Sequence, residues 1–113
     1  MKGIIVYNSI VPKMFSWFIS VYAITLFPFI FIKDDGNIET ENHENIHIAQ
    51  YAELFVFGFL LLYAFDYTKG LIKYRNKQKA YLMIRFEQEA WAMDKNLNYL
   101  KDREKFAWRK YQI

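Results

Sequence analysis

Both histidines of the chain fall within five residues, His43-Glu44-Asn45-Ile46-His47. On a helix, positions four apart stand one above the other on the same face. Two imidazoles held that way can close on one tetrahedral zinc ion, leaving room for a third protein ligand and a water. Glu44 directly follows the first histidine and is placed to act as general base toward that water. Zinc lowers the pKa of its water to about 7, so a nearby carboxylate can take the proton at neutral pH. The competing reading is a polar helix start that carries two histidines by chance.

The elements that must position these residues are read from the same chain. No cysteine is present, so thiolate sites, disulfides and cysteine nucleophiles are excluded, and any metal must be held by His, Asp or Glu. The spacing predicts an active-site helix over about 41–67, capped by Thr40 or Asn42, with His43, His47, Gln50 and Tyr51 on one face. Its second half, 54–65, is apolar nearly all round and reads as buried core or as lipid-facing. A break at Gly70 leads to a second helix over about 71–97, with Ala80, Leu82, Met83, Phe86, Ala90 and Met93 as an inner stripe. The 21 residues from His47 to Thr68 rise ~31 Å. The same rise on the return reaches 87–91, where Glu87 and Glu89 are the acidic candidates for the third ligand. Two residues apart, they point about 200° apart on a helix, so only one can face the metal.

At 113 residues the chain is one domain, read as strands and loop over 1–40, a helical hairpin over 41–97 and a basic C-terminal helix or tail over 98–113. An aromatic content of 20% rules out a disordered chain. Residues 3–11 read as a short strand ending at Pro12, too short for the apolar part of a cleavable signal peptide, so none is expected. The uncharged stretch 15–32 just reaches the length of a membrane segment. The preferred alternative is a short helix near 13–22 followed by a strand over 23–32, confined to a sheet edge by Pro28.

The pattern His43-Glu44-x-x-His47, with a glutamate downstream on a second helix, resembles the gluzincin metallopeptidases. It is most similar to the membrane group of CAAX prenyl proteases and HtpX-like proteases, and in size to the minigluzincins. Phe86-Glu87-Gln88-Glu89-Ala90 matches that group's glutamate helix with Glu87 on the ligand position. The resemblance spans 23–94 and implies a small α+β zincin-like domain. Its edge strand would bind substrate backbone by strand addition, and zinc (Zn2+) would be held by His43, His47 and Glu87, with Glu44 as catalytic base. The family's aspartate after the alanine is Trp91 here, so support for the zinc ligands must come from elsewhere. The family also steadies its oxyanion with an Arg, His or Tyr; Tyr51, Tyr81 and Arg85 are the candidates.

The implied function is zinc-dependent hydrolysis of a peptide or protein substrate. The alternative is a non-catalytic accessory protein, associated with a membrane, that keeps a vestigial or structural metal site. Charge bears on that alternative: residues 1–68 carry three Lys/Arg against seven Asp/Glu, and 69–113 carry twelve against five. A basic C-terminal third is first read as a solvated helix surface; next to apolar stretches it otherwise favours an anionic membrane surface as partner, and the location expected is cytoplasmic or membrane-associated. Nucleic-acid binding by 95–110, with Phe106 and Trp108 interleaved, is the weakest reading, because the spacing matches no named module. The aromatic content also makes an apolar interface between copies plausible.

Overall fold

In the computed structural model, residues 2–15 and 22–113 are described. The domain is mixed α+β. Strands β1 (Ile4–Val6), β2 (Ala23–Leu26) and β3 (Phe29–Ile32) form a three-stranded sheet in the order β1-β3-β2, with β1 parallel and β2 antiparallel to β3. The expected single strand over 23–32 is therefore a hairpin. Proline cannot donate to an inner ladder, and Pro28 sits in the turn that joins β2 to β3. β2 is one of the two edge strands, with β3 in the centre. The short helix expected near 13–22 is the single turn α1 (Val11–Met14), with Pro12 in its first turn, where a missing N–H costs nothing; residues 16–21 lie outside the described residues.

Helix α2 (Ile38–Tyr74) begins earlier and ends later than its pattern predicts. Its cap is Asn37, whose side chain accepts from the Thr40 amide at 2.9 Å. Asn42 is buried instead and donates to the Asp94 and Asn96 carbonyls. The helix is kinked at Phe55, which has a left-handed φ of 50°. Before the kink it carries the histidines and packs Ile48 against Ile30 and Ile32 of the central strand. After the kink, Phe59 joins Tyr51, Tyr81, Ile84, Phe86 and Trp108 in a second, mainly aromatic cluster.

The expected break at Gly70 is absent; the helix ends at Arg75, in left-handed conformation, and Asn76 caps the next. Gly70 is present for a close approach. A Cβ there would lie 3.0 Å from Ala80 Cα and 3.1 Å from Ala80 Cβ. The expected return helix over 71–97 is two helices, α3 (Lys77–Met83) and α4 (Arg85–Met93), separated at the extended residue Ile84. The expected basic helix shrinks to α5 (Tyr99–Asp102) and a 3-10 turn, Ala107–Lys110. Trp108 is buried there against Phe86 with its rings 4.9 Å apart, so it belongs to the core and presents no exposed stacking face.

A larger side chain at Gly70 must push α2 and α3 apart, since its neighbour is backbone. Gly70→Val is expected to cost about 1–3 kcal/mol, measured as a lowered midpoint of urea unfolding.

Candidate metal centre

The first turns of α2 bring His43, Glu44 and His47 to one buried point. Each offers a ligand atom, and these atoms lie within 4.8 Å of one another. Such a group could hold a metal ion. Helix α4 adds Glu87 from the other side: its Oε1 is 3.4 Å from His43 Nε2 and 3.2 Å from His47 Nε2. Metal–nitrogen and metal–oxygen bonds of 2.0–2.1 Å in a tetrahedron place the ligand atoms about 3.3–3.4 Å apart. The distances match those edges. Glu89, the other acidic candidate, is fully buried elsewhere, paired with Arg103.

The far side of each ring fixes what the near side can do. Gln50 Nε2 donates to the Phe86 carbonyl and to Glu89 Oε1, which are both acceptors. Gln50 Oε1 must then accept from His47 Nδ1, at 2.7 Å. His43 Nδ1 donates likewise to Asp94 Oδ2 at 3.0 Å. With both Nδ1–H groups committed, both Nε2 lone pairs face the Glu87 carboxylate in a buried site. Converging acceptors need a cation or added protons between them. The donor set thus fits a metal bound through two imidazoles and a carboxylate.

Asp94 supplies the support left open by Trp91. It lies one turn later on the same side of the chain, while Trp91 packs its ring on the His43 ring, 4.6 Å between centroids. Tyr63 donates to Glu87 Oε2 at 2.7 Å and orients the carboxylate. Sequence reading passed over Tyr63 because it lies in the apolar run 54–65. The phenol within that run was its one signal. Of the candidate oxyanion donors, Arg85 is bound to Asp66 and Tyr51 donates to the Thr25 carbonyl. Tyr81 lines both cavities that reach the centre. One is an apolar pocket of about 200 Å3 between β2 and α2; the other is a wider polar cleft of about 660 Å3 on the His43 side.

Burial disfavours the charged forms throughout. It raises the Glu44 carboxyl above its ordinary range, with the two histidines pulling the other way. By itself it would lower His47, but the adjacent Glu87 carboxylate overrides it and brings the imidazole to about 10. Without metal, His47 is therefore protonated at neutral pH, and binding must displace that proton. Metal affinity is expected to rise with pH below 10, with about one or more protons released per ion near pH 7. Calorimetric titration in buffers of different ionisation enthalpy checks this; a binding enthalpy that does not depend on the buffer would contradict it.

No protein-family model, curated protein or solved structure matches the chain.

Proposed function

We propose that the chain is a small zinc-dependent peptidase of gluzincin type, with His43, His47 and Glu87 as metal ligands. The observation that carries this reading is Glu44. It sits beside the ligand set with Oε2 3.5 Å from His43 Nε2, while its other oxygen, Oε1, is held by the Thr25 hydroxyl at 3.2 Å. A purely structural site would have no use for a second buried carboxylate that needs its own support. Zinc bound there supplies a Lewis acid for the substrate carbonyl and brings a water's pKa to about 7.

The rest is work for the protein's own side chains. Glu44, its proton affinity raised by burial, takes a proton at Oε2 and returns it to the leaving amine. Thr25 and Tyr63 keep Glu44 and Glu87 in fixed orientations. Tyr81, kept neutral by burial and hydrogen-bonded to Glu87, lines the pocket and the cleft and is the phenol that would turn from Glu87 to the developing oxyanion. Among the described residues no strand pairs with the outer edge of β2, and Ala23 to Leu26 line the pocket, so an extended peptide can add there as a further strand.

The test is Glu44→Gln, nearly isosteric and unable to take the proton. It is expected to keep its zinc and lose about 10²–10⁴-fold in peptidase activity, the usual worth of a general base. Zinc bound by wild type with no peptide hydrolysis, and no difference in Glu44→Gln, would reduce the centre to a structural one.

A further inference from the structure

Beyond the kink, α2 turns an apolar face outward. Phe55 is 83% exposed, Phe57 79%, Leu61 73%, Phe65 59% and Ile72 74%. Residues 57, 61, 65 and 72 recur at helical spacing and form one stripe, which runs into Lys69 and Lys73 at the same interval. The opposite side of this half-helix is occupied: Phe59 stacks on Phe86, and Gly70 lies against Ala80. The helix is long and apolar enough to cross a membrane, yet only 22% of its most apolar 18-residue window is buried.

Charge says what covers this face. Between residues 54 and 86 the one acid is Asp66, which is fully buried and ion-paired with Arg85. Lys69, Lys73, Arg75, Lys77 and Lys79 over the same span are exposed. An apolar stripe whose exposed charged residues over this span are all cations, one of them (Lys73) also bonded to the Ile113 carbonyl, complements an anionic lipid surface, where aromatic and aliphatic side chains enter the headgroup boundary and lysines meet phosphates. A second copy of this chain packed in parallel on the stripe would instead bring those cations together. The helix is kinked at Phe55 and its inner side is packed on Phe86 and Ala80, so it lies in the interface with only its outer stripe facing lipid.

We propose that the outer half of α2 docks on an anionic bilayer and sets the mouth of the metal-site pocket at lipid level. Leu60, 42% exposed and three residues after Phe57 on α2, also lines the pocket that reaches Glu44, His47 and Glu87, as does Leu26, 37% exposed, from β2. The substrate is then a polypeptide presented at the lipid–water boundary. That last step rests on the peptidase reading; the docking itself does not.

The experiment is flotation of the zinc-loaded full chain with phosphatidylcholine vesicles, with and without phosphatidylglycerol. Wild type is expected to float with the anionic vesicles. Phe57→Ser/Leu61→Ser/Phe65→Ser is expected to lose binding about tenfold or more, with zinc content and circular dichroism unchanged. Because the chain lacks cysteine, a fluorophore on Leu61→Cys adds a second readout. Its emission shifts to the blue on these vesicles, while the same probe on Lys95→Cys, in the polar cleft, does not. Wild type left in solution, equal flotation of the triple variant, or a stable dimer that the triple substitution dissociates without any vesicle binding would each overturn the proposal. Failure of docking with zinc and hydrolysis intact leaves the peptidase reading standing; docking without hydrolysis removes the latter alone.

Discussion

Arg103→Leu is expected to cost about 3–5 kcal/mol, a large part of the 5–15 kcal/mol that stabilises a domain of this size. The guanidinium joins Glu53 at 2.9 Å and Glu89 at 3.0 Å through NH2, with a further contact from Nε to Glu89. Its side chain is 5% exposed and that of Glu89 0%. Removing the cation leaves a buried carboxylate whose remaining donors are Tyr99 and Gln50. Arg103→Lys restores charge but not the fork, so it is expected to recover only part of the loss. Urea unfolding of the three proteins measures both effects. A Leu variant within 1 kcal/mol of wild type, against the estimate above, would show the pair to be solvated.

His47→Ala is expected to weaken zinc binding by about 3–5 kcal/mol, a third or so of what a structural zinc site typically provides; this is a fall of about 10²–10⁴-fold. Asp94→Ala removes only the acceptor behind the other histidine. It is expected to cost about 10–100-fold, the usual effect of losing a ligand's hydrogen-bond partner. The order of the two effects is the informative part. Competition titration against a chromophoric chelator gives both, and a larger loss from Asp94→Ala would reassign that carboxylate as a ligand.

The grouping of His43, Glu44 and His47 was more legible in the chain than the path that brings Glu87 to it. Two histidines four apart need only a helix to meet, so their geometry follows from local spacing. Glu87 was reached by counting two straight helices back from a turn at Gly70, and both premises differ from the structure. The turn is at Arg75, because Gly70 is committed to packing on Ala80, and the return helix breaks at Ile84. Glu87 still arrives opposite the histidines because Phe86, fully buried and stacked on Phe59, fixes the register of α4. Such register lies in tertiary packing, which periodicity does not encode. The residues behind the site were hidden for the same reason. Asp94 and Tyr63 act across elements, whereas Gln50 already shares the histidine face of α2, and Asp94 looks like an ordinary polar helix end until α4 is laid against α2. The basic tail looked like a solvated helix because its charges mask Trp108 and Arg103, both of which turn inward.

The central claim is a three-ligand metal centre, and its most direct measurement is zinc stoichiometry and affinity on wild type and Glu87→Ala. About one zinc per wild-type chain is expected, as in a site with three protein ligands. Glu87→Ala should stay folded and bind about 10²-fold or more weakly. Wild type without zinc, or Glu87→Ala with undiminished affinity, would contradict it.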